Sequence, residues 1–227
     1  MSLVNLKPKI FQQFSAYGLR TFFVIGGQEA TLAKLRKKFD LASMEQVHGS
    51  NALEVKNRLS KVYEGDALFT SKLGIYLAVR SADCLPILFY NPKKQIIGVV
   101  HAGWKGTYKK IIQKTLQKVA KRFQAKPEDF YFYLGPAARL CCYEITHEPQ
   151  RIEKFDKKYR KKILRKDGAR IFLDIVKANK LQLRQLHVPT SHIEDSGLCT
   201  IHNAKYPSHR REGEGRKETL LSLVGLR

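Results

Sequence analysis

The chain has 227 residues, 43% of them hydrophobic and 10% aromatic, which is enough to bury a sizeable core without metal or disulfide support and excludes disorder as its main character. Lys and Arg number 42 against 20 Asp and Glu, a net charge of +22, so the surface attracts phosphate, nucleic acid or anionic lipid. The first 25 residues lack the apolar stretch of a secretory signal, and no run of about 18 apolar residues occurs anywhere, so the expectation is one domain, residues 1–227, that is cytoplasmic and has no membrane partner.

In chain order, a β-rich apolar run at residues 21–25 is followed, after Gly26-Gly27, by a short helical row of Leu32, Leu35 and Phe39. Further strand-like runs lie at 75–79, 86–90 and 96–100. The turn Asn91-Pro92-Lys93-Lys94 makes the last two antiparallel neighbours. Residues 107–123 carry two rows four apart, Ile111/Thr115/Val119/Phe123 and Ile112/Leu116/Ala120, which predicts one amphipathic helix. A strand at 130–134 follows, then a second helix through Ile152, Phe155, Tyr159 and Ile163, whose lysines and arginines at 154–166 read as a solvated face. Asp174 is the expected N-cap of a helix through Val176, Leu183 and Leu186. With no strict βαβ rhythm, the expected class is α+β, a mixed sandwich.

Four cysteines at 84, 141, 142 and 199 are scattered and suit thiols or metal ligands better than a disulfide framework. His48 sits in a glycine-containing loop, Cys84 between two strand runs just before Leu85-Pro86, and His101 at the end of a strand. Each alone reads as structural. Together, two imidazoles and a thiol are a catalytic-type zinc set with a fourth position open, although separations of 36 and 17 residues match no local metal motif. The residues alone leave both readings open. Gly103 and Gly106 lead into a helix with Lys105 between them, a pattern suited to an oxyanion or to an ordinary tight turn. Their spacing is not that of a Walker A loop. Arg210 and Arg211 lie in a basic stretch suited to phosphate or carboxylate recognition.

The motifs QVHG, GDALFT, ADCLPILF, GVVHAGWKG, LGPAARLCCYEI and LCT, followed by Ser-x-Arg-Arg and Gly-x-Gly-Arg, run in this order over residues 46–216. In this the chain resembles the YfiH family, also called laccase-domain or polyphenol oxidase proteins and associated with purine nucleoside phosphorolysis. The resemblance implies a layered α/β/β/α fold and a zinc site at His48, Cys84 and His101, which would also be the catalytic set. It implies phosphorolysis of adenosine, inosine, guanosine and methylthioadenosine, with adenosine deamination as a side activity. The partners are then a purine nucleoside and phosphate, the latter assigned to Gly103, Lys105, Gly106, Arg210 and Arg211. Two segments depart from the family pattern: Ala138-Arg139 replaces an Ile-Gly pair, and Pro207-Ser208-His209-Arg210-Arg211 replaces Phe-Ser-Tyr-Arg-Arg.

Three competing functions are weighed against this one. A copper-dependent polyphenol oxidase is disfavoured because multicopper centres use His-x-His pairs and none of the seven histidines forms one; a mononuclear His₂Cys copper site remains chemically possible. A cysteine amide hydrolase editing cell-wall precursors would use Cys84 as nucleophile and His48 or His101 as base. A nucleic-acid module is suggested only by the charge and lacks the aromatic-basic signature of RNA-binding folds.

Overall fold

A computed structural model describes residues 1–57 and 62–227. Two six-stranded mixed sheets stack face to face, with helices on both outer surfaces. The first runs in the order Ser2–Leu3, Leu19–Gly27, Glu218–Leu226, Ile75–Ser81, Asp40–Glu45 and Val62–Glu64. The second runs Ile193–Asp195, Tyr131–Leu134, Leu85–Asn91, Ile96–Ala102, Ala67–Thr70 and Ala52–Glu54. This is the α/β/β/α layering expected of the chain.

The strand Leu85–Asn91 shows why its sequence is apolar throughout. Leu88 and Tyr90 point into the core between the sheets, with Phe23, Leu77, Val79, Ile97 and Val224. Ile87 and Phe89 point the other way, into the layer beneath the helices. A strand covered on both faces has no polar positions to alternate with. The expected hairpin forms, pairing Phe89 with Gly98 and Tyr90 with Ile97.

On the outer face of the second sheet, Ile111–Phe123 buries Ile111, Ile112, Leu116 and Val119. Beside it packs Ile175–Gln185, capped as expected by Asp174, which accepts from Lys177 N at 2.8 Å. On the outer face of the first sheet, Gln28–Arg36 lays Leu32 and Leu35 over Leu41, Tyr76 and Leu221. No helix among the described residues is long and apolar enough to cross a membrane.

Two helices expected to be continuous are broken. The 107–123 helix begins at Ile111 and is preceded by a separate short helix, Trp104–Tyr108. The Thr107 carbonyl accepts from Gln182 Nε2 at 2.7 Å and from Lys110 N at 3.1 Å, which closes the first turn early, and Lys110 leaves through φ 61°. The 152–163 helix is likewise split into Pro149–Glu153 and Lys157–Ile163. Arg160 bonds the carbonyls of Glu153 and Phe155, and Asp156 caps the second piece by accepting from Lys158 N. The strand Glu218–Leu226, which no expectation singled out, runs through the first sheet between Leu19–Gly27 and Ile75–Ser81.

Candidate functional site

His101 lies near the end of strand Ile96–Ala102, and its neighbour Ala67–Thr70 is preceded by Asp66, which is fully buried. A buried carboxylate must be paired or hydrogen-bonded on most of its lone pairs. Asp66 meets this with three partners: His101 Nδ1 at 2.8 Å from Oδ1, His48 N at 3.0 Å, and Gly49 N at 2.6 Å from Oδ2. One side chain therefore orients the His101 ring and ties down the loop that carries His48, whose own φ is 56°. Burial by itself would raise the Asp66 carboxyl, but these hydrogen bonds and the His101 charge outweigh it and hold the group below the usual carboxylate range.

Cys84 occupies the turn between Ile75–Ser81 and Leu85–Asn91. The preceding Asp83 has φ 83°, an unusual conformation for a residue with a side chain. It is held there by Thr200 Oγ1 on Oδ1 and Arg210 N on Oδ2, both at 2.6 Å. The ligand-type atoms of His48, Cys84 and His101 all lie within 4.8 Å of one another, and the two imidazoles meet edge to face at 4.8 Å between centroids. Burial would push the Cys84 thiol up; the charge and hydrogen bond of His101, with the hydrogen bond of His48, bring it down instead. His101 moves the opposite way, raised by Cys84 and Asp66 against its burial.

The donor set fits a zinc-type ion. Two nitrogens and one sulfur converge, and the Asp66 bond to Nδ1 of His101 leaves Nε2 as that ring's free ligand, the carboxylate–histidine arrangement that orients metal-binding imidazoles.

The cluster forms one wall of a cavity of about 890 Å³, within the range of ligand sites. Five cationic side chains line the same space: Arg80, Lys105, Arg151, Arg210 and Arg216. Of the acidic residues lining it, Asp83 is engaged as described, and Glu148 pairs with Arg151 and Arg210. Among the lining residues, Arg151 lies 5.1 Å from the Trp104 ring and donates to Tyr143 Oη at 2.7 Å, while Arg210 lies 5.5 Å from the Tyr143 ring.

Lys105 and Arg210 thus share the cavity with the His/Cys cluster, whereas Gly103, Gly106 and Arg211 are not on its wall. Gly103 is the residue before the short helix, and a Cβ there would stand 2.8 Å from Cys84 Sγ. Gly106 is buried, and a Cβ on it would stand 3.1 Å from the Gly49 carbonyl. Both glycines let the His48 and Cys84 turns close on the backbone. Arg211 braces its own segment through the carbonyls of Thr200, Ile201 and Tyr206.

Sequence reasoning missed Asp66, Asp83 and Gln46. All three stand inside quoted motifs, Gln46 in QVHG, Asp66 in GDALFT and Asp83 in ADCLPILF, but nothing in those strings says which polar residue supports the site. Gln46 bonds the Arg80 backbone at both its N–H and its carbonyl, 2.8 Å each, and so extends sheet pairing up to the His48 loop.

Comparison with known proteins identifies the family. The profile of the family described as "Multi-copper polyphenol oxidoreductase laccase" matches residues 27–226. A purine nucleoside phosphorylase of Clostridium acetobutylicum is 32% identical over 179 residues, 77% of this chain and 72% of the relative. One from Bacteroides thetaiotaomicron is 32% identical over 163 residues, 70% of this chain and 60% of the relative. The crystal structure of the Bacillus licheniformis hypothetical protein YfiH superposes with a TM-score of 0.83 over 99% of both chains at 22% identity, which shows a shared fold. Profile, relatives and fold agree, and the chain belongs to the laccase-domain, or YfiH, family.

Proposed function

We propose that the protein is a zinc-dependent purine nucleoside phosphorylase acting on adenosine, inosine, guanosine and methylthioadenosine. The observation that carries this reading is the meeting of a His₂Cys cluster and five side-chain cations on one cavity. Such a cavity favours an anionic co-substrate, and the relatives named above are purine nucleoside phosphorylases.

In this reading His48, Cys84 and His101 hold zinc, with copper as the alternative metal. Bound there, the ion would supply a fixed positive charge to polarise or orient the nucleoside. Lys105 and Arg210 bind phosphate, Gly103 and Gly106 allow the backbone approach that places Lys105, and Arg211 holds the Arg210 segment in position. A phosphate oxygen forms the new bond to C1′ as the C1′–N9 bond breaks. The electron pair leaves with the purine, which then takes a proton. Charge at the ribosyl centre resembles that of other glycosidic cleavages. Adenosine deamination at the same site would use water in place of phosphate.

A second reading has one observation in its favour. Cys84, His101 and Asp66 form a nucleophile, base and orienting carboxylate in series, the arrangement of a cysteine hydrolase that could act on amides such as cell-wall precursors. A copper oxidase lacks such support, since no His-x-His pair exists.

Product analysis of each nucleoside with and without phosphate, beside elemental analysis, separates the readings. Phosphorolysis predicts ribose 1-phosphate only when phosphate is present. Cys84→Ala should lower bound zinc by one equivalent and abolish turnover while the fold stays intact. Activity that needs Cys84 but persists without metal favours the hydrolase.

A further inference from the structure

A second set of ligand-type residues lies outside the cavity. The sulfurs of Cys141, Cys142 and Cys199 are all within 4.8 Å of one another, and all three residues are free thiols. We propose that Cys141, Cys142 and Cys199 form a second, structural site for a thiophilic divalent ion of the zinc class, bound by three thiolates with its fourth position open to solvent.

The two segments that bring the sulfurs together are pinned independently of any ligand. Cys141 and Cys142 sit in a tight turn closed by Cys142 N on the Arg139 carbonyl at 2.9 Å and Tyr143 N on the same carbonyl at 2.7 Å. Cys199 forms a parallel bridge with Ala137, flanked by Ala137 N on the Leu198 carbonyl at 3.2 Å and Thr200 N on the Ala137 carbonyl at 3.1 Å. Arg139 Nε adds a bond to the Leu198 carbonyl at 3.0 Å.

Zinc–sulfur bonds of about 2.3 Å in a tetrahedron require sulfurs about 3.8 Å apart. An ion would need only a small inward movement of the three side chains. Packing accounts for Cys199, which is buried, but gives no reason for the other two thiols, because Cys141 is exposed and Cys142 only half-buried. A disulfide accounts for them less well: adjacent cysteines do not pair without strain, and Cys199 can take only one of them. On binding, the three thiols release their protons to solvent and donate three thiolate lone pairs, with no change of oxidation state.

The site would also steady the catalytic wall. Tyr143, next to Cys142, lines the cavity, and Thr200, next to Cys199, holds Asp83. The clip joins two segments that already supply the cavity, and its existence does not depend on what reaction occurs there.

The test uses the full chain carrying Cys84→Ser, so that the first cluster contributes no sulfur, stripped of metal under reducing conditions and titrated with Co²⁺ and then Zn²⁺. The expected result is one equivalent of Co²⁺ with sulfur-to-cobalt charge-transfer absorption of three thiolates. Cobalt binding to the metal-free protein should release about three protons per ion, and zinc should then displace the cobalt with no further release and protect three thiols from a thiol reagent. Adding Cys199→Ser should remove the band, and adding Cys141→Ser or Cys142→Ser should cut its intensity by about one third or abolish binding. The latter two positions keep the test available if Cys199→Ser does not fold. No cobalt bound, absorption from a single sulfur, or equal thiol reactivity with and without zinc overturns the proposal. So does a two-dalton mass loss on exposure to air in a protein that binds no metal when reduced.

Discussion

Asp66 and Asp83 are both buried carboxylates one strand apart, and each accepts two or more short hydrogen bonds, yet they do different work. Asp66 touches His101 and the His48 loop, so it positions the ligand-type residues themselves. Asp83 touches Thr200 and the Arg210 backbone, so it positions the cationic segment that faces them. The site is two half-sites, one soft and metal-like, one basic, each braced by its own aspartate. Substitutions in the two halves should therefore fail in different ways.

The largest effect is expected from Asp66→Asn. An amide keeps one acceptor oxygen and sets a donor in place of the other, so either Gly49 N in the His48 turn or the pair His101 Nδ1 and His48 N loses its partner, and the His101 ring loses the carboxylate charge in both cases. Loss of such a supporting carboxylate weakens metal binding by about 10- to 100-fold. Competition with a chromophoric chelator measures this, and unchanged zinc affinity would dissolve the distinction between the halves.

Lys105→Ala strikes the basic half. Removing one charge-assisted contact, typically worth about 1.5 to 3 kcal/mol, should raise the apparent KM for phosphate, or lower phosphorolytic kcat/KM, by roughly ten- to a hundredfold. Zinc content should stay unchanged and adenosine deamination should survive much better. Ribose 1-phosphate and inosine measured on the same variant report both halves; equal loss of the two reactions would mean that Lys105 serves the nucleoside or the fold and not phosphate.

Asp83→Asn is milder, because it moves Arg210 rather than deleting it. We expect the phosphate KM to rise about tenfold, in line with one lost hydrogen bond to a charged group, and zinc binding to be untouched. A fall in zinc content instead would show that Asp83 also sets the Cys84 turn.

A third carboxylate sharpens the contrast by belonging to neither half. Asp195 ends the strand Ile193–Asp195 and is bonded by Arg139, by Lys180 at 2.6 Å and by Gly197 N at 3.0 Å. Burial would raise its carboxyl; these partners bring it down to about 2. A depressed folded-state value means that the stabilisation is present above the ordinary carboxylate range and is lost as pH falls through about 2. Asp195→Asn should cost about 2 kcal/mol at pH 7, with the gap to the parent closing between about pH 4 and pH 2 and with turnover unaffected. Denaturant unfolding at several pH values is the measurement, and a gap independent of pH would mean the ion pairs contribute nothing.

Much of this is legible in the sequence. The runs at 75–79, 86–90 and 96–100 are apolar without alternation because their strands are covered on both faces, and a one-dimensional pattern records that directly. Asp174 was readable as a cap because capping is local. The helix break at Lys110 was not, since the cause is Gln182, a residue of another helix reaching the Thr107 carbonyl. Gly103 reads from the sequence either as part of an anion-binding turn or as an ordinary tight turn, and the structure adds that Cys84 and His48 fill the space beside it.

The sequence by itself determined which side chains were available for chemistry, two imidazoles, a thiol and a surplus of cations, and that the strands beside Cys84 and His101 would be buried. Only the tertiary structure decided that residues 36 and 17 positions apart meet within 4.8 Å, and that Asp66 rather than any other acid stands behind them. Residue type and local periodicity are properties of neighbours along the chain. Convergence and burial of a single carboxylate depend on how two sheets stack, and that is settled by contacts between segments far apart in the chain.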